Sequence, residues 1–177
     1  MQARTEEGLR QVAEALRQLS AHVTRLEHTV GDLKAIVLEV HYRDRAASYF
    51  DDVLRRIHAL TAEELVALLD EAEDRGAITA AERRDLLRAD VVARGRQRES
   101  GVPAYLAVEV SAVVDEHDVW RALRRAEVLS RAAATPAIPA VAGERIDPDA
   151  EQLGRSRGVW RVLDGQAIAP QAAPGPE

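Results

Sequence analysis

Residues 90–114 read DVVARGRQRESGVPAYLAVEVSAVV, two β-rich runs, DVVARGRQ and PAYLAVEVSAVV, on either side of the turn-like RESG. Valine-rich segments bounded by Arg, Glu, Ser and Gly predict a β-hairpin. Alternation along the second strand sets Tyr105, Ala107, Glu109 and Ser111 on one face and Leu106, Val108 and Val110 on the other. Glu109 stands out there, because a carboxylate between two valines is costly to bury unless it is paired or binds a cation. Asp90 opens the preceding strand, so pairing of the two runs brings Asp90 and Glu109 toward one end of the hairpin. Two carboxylates in that arrangement suit a hard divalent cation such as Mg²⁺, which prefers oxygen ligands.

On the N-terminal side of the hairpin, Thr61 with Glu64 and Thr79 with Glu82 have capping-box spacing. They predict two short helices, the first ending at Gly76. On the C-terminal side, Asp115 and Asp118 cap a helix whose residues Val119, Trp120, Leu123, Ala126 and Leu129 face a core. PAIPAVAG (136–143) reads as a strand that Pro136 and Pro139 move toward an edge or a strand start. Asp147 and Pro148 begin a further helix, and GVWRVLDG (158–165) supplies a last strand. The Ala-, Pro- and Gly-rich tail from Gln166 is expected to be disordered.

Toward the N-terminus the period changes. Leu9, Leu16, Val23, Val30 and Val37 recur every seven residues, and Val12, Leu19, Leu26, Leu33 and Val40 follow each of them by three. An a/d seam of this length predicts a coiled coil, and Leu at d beside Val at a favours two parallel strands. The flanking positions carry Gly8, Ala13, Ala15, Ser20, His22 and Thr29 instead of charge pairs, so higher-order bundles and an intramolecular hairpin stay open. Gly31 is a candidate flexible joint. Tyr42, Ala46, Tyr49, Phe50, Val53, Leu54 and Ile57 then follow a 3.6-residue period with a wider stripe, as a helix entering a globular core would. The expected organisation is a coiled coil over 1–32, an α/β domain with a mixed sheet flanked by helices over 33–164, and a tail over 165–177.

Composition removes several functions. The chain has no cysteine, which excludes thiol redox chemistry and thiolate zinc sites. No stretch approaches the roughly 20 apolar residues of a membrane span, and the N-terminus has no apolar signal core, so a soluble cytoplasmic protein is expected. A net charge of -6 gives no global pull toward nucleic acid, although residues 61–90 are acid-rich and residues 91–134 slightly basic. Glycine-rich phosphate loops, nucleophile elbows and metalloprotease helices are missing. His117 reads as a surface residue, and the other histidines are scattered.

The order of a helix, an acidic strand start, a hairpin carrying Glu109, a helix and a further strand resembles the PD-(D/E)XK nuclease superfamily, the restriction-endonuclease-like fold. The resemblance covers roughly residues 33–164 and rests on Asp90 in RADVVARG, Glu109 in YLAVEVS and the helix from Glu116 to Arg131. More particularly, the chain is similar to bacterial proteins that carry such a domain behind an N-terminal coiled coil. The resemblance implies Asp90 and Glu109 as catalytic metal ligands, Glu39 as a third acid, Mg²⁺ as cofactor and DNA as substrate. The family's lysine, two residues after the Glu, is replaced by Ser111, and no lysine lies near. Arg94, Arg96 and Arg98 are candidate nucleic-acid contacts, with Arg121 and Arg124 within reach of the site from the following helix. Arginine stays protonated, so it could stabilise a phosphoryl transition state but not serve as general base.

The residues also have plainer readings. Asp90 can be a strand-starting residue satisfied by backbone N–H groups, Glu109 a salt bridge, and the arginine row a solvated face. The leading expectation is a Mg²⁺-dependent, nuclease-like DNA-binding dimer with impaired catalysis. The alternative is a non-catalytic oligomeric scaffold built on a degenerate nuclease-like domain.

Overall fold

A computed structural model describes residues 2–170, with side chains from residue 7 onward. By internal contacts the chain divides into Met1–Ile36 and Val37–Glu177, against an expected boundary near Leu33. Helix α1 runs from Gln2 to Asp44 and continues through Gly31 without interruption. In the first unit the seam residues are open to solvent, Leu9 at 65%, Leu19 at 59% and Leu26 at 64%.

The stripe from Tyr42 to Ile57, expected as one helix, is instead three elements. Helix α1 stops at Asp44, a single turn α2 spans Ala46–Tyr49, and Leu54–Ala59 is strand β1. The correction has a physical cause, since a short apolar run fits both periods and pairing with a neighbouring strand outweighs local propensity. β1 is a strand that the sequence reading does not include. Helices α3 (Ala62–Asp74) and α4 (Ala80–Leu86) follow, each opened by the expected capping box, and Gly76 ends the first with a φ of 73°. Strands β2 (Val91–Gln97) and β3 (Pro103–Val114) form the hairpin, and α5 (Glu116–Ala133) starts at the Asp115 and Asp118 cap. Strand β4 (Ala137–Ile146), helix α6 (Pro148–Arg157) and strand β5 (Trp160–Leu163) complete the expected order. The expected tail contributes one more strand, β6 (Gln166–Ile168), antiparallel to β5, while 171–177 lie outside the described residues.

The six strands lie in chain order, β1 to β3 as an antiparallel meander, β3, β4 and β5 parallel, and β6 antiparallel. The chain is therefore α/β with a mixed sheet and flanking helices. β4 is an inner strand, and Pro139 is tolerated because β5 joins it only from Ala140 onward. One face of the sheet presents Leu106, Val108, Val110 and Ala142 to Tyr42, Ala46 and Phe50. The other presents Val92 and Ala107 to Leu65, Leu69, Leu86, Ala126 and Leu129 of α3, α4 and α5. Trp120, expected to face the core, is 46% exposed, and the Arg157 guanidinium lies 5.1 Å from its ring centre. Among the described residues no helix is long and apolar enough to cross a membrane.

Two consequences can be measured. Gly143 sits opposite Ser111, and a Cβ there would stand 2.1 Å from the Ser111 carbonyl oxygen. Gly143→Ala must push β3 and β4 apart and should cost about 3 kcal/mol, at the upper end of ordinary overpacking, read as a lower urea midpoint. The Glu82 carboxyl is pulled down to about 2 by the Arg131 guanidinium and the Thr79 backbone N–H. A depressed carboxyl stabilises the fold above its unfolded pKa of 4.5, and that contribution is lost as the pH falls toward about 2. Glu82→Gln should therefore flatten the loss of thermal stability between those two pH values.

Candidate functional site

The hairpin register pairs Val91 with Val108, so the next step sets Asp90 beside Glu109 at the β2 start. Glu109 is 1% exposed and faces α5, the same side as Ala107. Its two oxygens are both engaged: Arg121 Nε donates to Oε2 at 2.9 Å and Arg125 Nη1 to Oε1 at 2.5 Å. Arg121 also binds Asp118, whose other oxygen accepts the Asp115 N–H of the α5 cap. Asp85 of α4 accepts from Arg124 at 3.2 Å and from Arg125 at 3.5 Å. The result is an ion cluster between α4, α5 and the hairpin, with Arg125 only 5% exposed. Such a network holds buried charge because each charge is matched, with Arg125 Nε left without a hydrogen-bond partner.

Asp90 is used differently. Its Oδ2 accepts the Val110 N–H at 2.7 Å, which continues the β3 ladder past the end of β2. Its backbone carbonyl accepts two bonds from the Arg43 guanidinium of α1, at 2.7 and 3.2 Å. Glu39, on the same helix and half-buried, is close enough that the Asp90 charge raises its pKa in addition to burial. Burial also lifts the Asp90 and Glu109 carboxyls above the ordinary range. The Val110 N–H, followed by the nearby arginine charges, pulls Asp90 back, and Arg125 opposes the rise at Glu109. Asp90 therefore lies near each of the other two acids named by the sequence, Glu39 on the α1 side and Glu109 on the α5 side.

A divalent cation is nevertheless a poor fit to the side chains as they stand. Both Glu109 oxygens accept from arginine, one Asp90 oxygen is taken by backbone, and the Ser111 hydroxyl donates to the Val113 carbonyl at 2.9 Å. Among the described residues no group of three or more His, Asp or Glu side chains is arranged to hold a metal ion.

The arginines divide into two sets. Arg121 reaches Glu109 as the sequence suggests, but Arg124 pairs with Asp85. Arg94 and Arg96 lie opposite Tyr105 and Pro103, four and six residues before Glu109 on β3, roughly 13 and 20 Å along the strand. Arg98 lies farther still and binds Asp51. The row is therefore separate from the acid cluster. Arg125 and Asp85 were not anticipated. One signal was available for Arg125, since it falls within the buried stripe of Ala122, Ala126 and Leu129, where an unpaired charge cannot stay.

Removing one member of the cluster should be more harmful than removing a pair. Glu109→Ala leaves Arg125 buried without its carboxylate and should cost about 3–5 kcal/mol in urea unfolding, whereas Glu109→Leu combined with Arg125→Leu should recover most of that loss. A cost under about 1 kcal/mol for Glu109→Ala, the size of an exposed ion pair, would show that the cluster does not hold the domain together. None of the protein-family models, curated proteins or solved structures with which the chain was compared matches it.

Proposed function

We propose that this chain is a non-catalytic oligomeric scaffold, in which a long helix joins copies of the chain and a nuclease-like α/β unit serves as a binding module. The observation that carries the non-catalytic part is the saturation of Glu109: both oxygens that would face a cation accept hydrogen bonds from Arg121 and Arg125. Ser111 adds to it, standing where a nuclease needs an orienting lysine and turning its hydroxyl to the Val113 carbonyl. Support for a nuclease-like unit comes from the element order, a helix, three antiparallel strands with α3 and α4 between the first two, Asp90 just before the second and Glu109 on the third, then a helix and a parallel strand. Self-association is supported by the a/d seam, whose leucines and valines are 45% (Val40) to 65% (Leu9, Val37) exposed. Burying such a row against a second copy gains about 25 cal/mol per Å² of apolar area.

A second reading, the Mg²⁺-dependent nuclease, is favoured by Asp90 lying near both Glu39 and Glu109, all three with pKa values raised by burial, a pattern common at catalytic centres. It requires Arg121 and Arg125 to release Glu109. Calorimetric titration of Mg²⁺ and of Mn²⁺ into the full chain separates the two: the scaffold reading expects no saturable heat. Saturable binding that vanishes in a folded Asp90→Asn variant would replace it with the nuclease. For the helix, sedimentation should give a dimer, converted to monomer by Leu19→Asp with Leu26→Asp while the sheet signal in circular dichroism persists. A monomeric wild type would remove the oligomeric part of the proposal.

A further inference from the structure

The β1–β2 edge is more basic than the rest of the chain would suggest. The sequence has 30 acidic residues and a net charge of -6, so carboxylates are not scarce. Yet His58, opposite Arg94, has its ring Nε2 2.9 Å from the Glu64 carboxylate, and the register sets Arg55 opposite Arg96. Like charges directly opposite each other destabilise a strand pair. Arg94 has only a 3.5 Å contact to Glu64, and Arg96 donates to the Gly101 carbonyl. Arg55 and Arg56 have no carboxylate partner among the described residues, and both are exposed.

The backbone reinforces this crowding. Between the pairs Arg55 and Arg96 and His58 and Arg94 the register shifts, so that Arg56 and Ile57 oppose Gly95 alone. Arg56 takes a left-handed φ of 54°, a conformation that costs a non-glycine residue stability. Gly95 permits the close approach, since a Cβ there would lie 2.8 Å from the Arg55 carbonyl oxygen. The bulge thus adds one more guanidinium to an edge that is already positive. Two clefts flank it. One, of about 350 Å³, is lined by Arg56, His58, Arg94, Arg96 and Tyr105; the other, of about 310 Å³, is lined by Arg55, Arg56, Arg96 and Arg98. Arg56 and Arg96 border both, which makes the clefts one basic track.

We infer that this edge binds a single-stranded nucleic acid, its phosphates along the β1–β2 arginines and a base against Tyr105. Alternate β2 arginines stand about 7 Å apart, a row that a polyanion meets at several points and a single small anion does not. An aromatic ring beside a basic groove is the arrangement in which bases stack without sequence readout. The first cleft is at the small end of ligand pockets, a volume that suits a nucleotide. The inference rests on the reading of the α/β unit as a binding module, but it uses none of the acid-cluster residues. The competing account is that the arginines only guard an open sheet edge against pairing.

Fluorescence anisotropy of a labelled 12-residue oligothymidylate with the full chain, across salt concentrations, tests it. Wild type should bind with affinity falling as salt rises, and Arg55→Ala with Arg56→Ala should reduce the log–log salt slope by about 1.4. Arg96→Ala, on a regular strand, should reduce it by about 0.7 and covers the event that the double variant misfolds. Tyr105→Ala should lower affinity roughly tenfold, and Arg84→Ala, an exposed arginine of α4, should change neither. Absence of binding, or a slope untouched by the β1–β2 variants, overturns the inference and leaves the arginines as edge guards. A silent Tyr105→Ala together with equal competition by inorganic polyphosphate also overturns it, in favour of a phosphate-only site. These outcomes are independent of the Mg²⁺ titration, so failure of one reading is separable from failure of the other.

Discussion

The structure turns on one buried charge. Glu109 sits midway along β3, beside the start of β2, on the face that α5 covers, where an isolated carboxylate would be costly. That constraint accounts for otherwise odd features around it. Helix α5 carries Arg125 inside its apolar stripe and Arg121 one turn before it, because both must reach the strand. Asp118 serves the helix cap with one oxygen and Arg121 with the other, and Asp85 of α4 steadies Arg124 and Arg125. The cluster thereby ties two helices to the sheet through ionic contacts where a typical core would use leucine.

Charge is sorted along the hairpin. At the end where β2 begins, Glu109 pairs with Arg121 and Arg125, Asp90 accepts the Val110 N–H, and Glu39 lies near Asp90. At the turn end, Arg94, Arg96 and the bulged Arg55 and Arg56 face outward with few acidic partners. An antiparallel pair makes this separation automatic, since each step along β2 away from Asp90 is a step along β3 away from Glu109. The metal chemistry of the nuclease reading would fall at the first end, and the proposed polyanion binding falls at the second. Ion pairs are fewer at the second end, Arg94 with Glu64 and Arg98 with Asp51, and they lie at the surface.

How much could be read beforehand varied with how local each feature is. The capping boxes at Thr61, Thr79 and Asp115 are contained within four residues, and the helices begin where those residues place them. The hairpin and the facing of Glu109 follow from period-2 alternation and also hold. Strand β1 was hidden because Val53, Leu54 and Ile57 suit a helix stripe as well as a strand, and its ladder partner lies about forty residues away, at Ala93 to Gln97. Strand β6 was hidden by length, three residues in an Ala-rich stretch that only β5 makes extended.

Local sequence was thus enough to set the helical seam, the caps, the hairpin and the suspicion that Glu109 needs a partner. It could not say which partner, because the candidates, a cation and several arginines, differ only in what the packing of α5 brings within 3 Å. The three-dimensional fold chose Arg121 and Arg125, and set Arg124 against Asp85 instead. It also gathered Arg55 and Arg56 to the β2 arginines, a neighbourhood made by strand pairing and a bulge across distant positions. Caps and periods depend on interactions a few residues apart, whereas the company a buried charge or an edge arginine keeps is set by long-range packing.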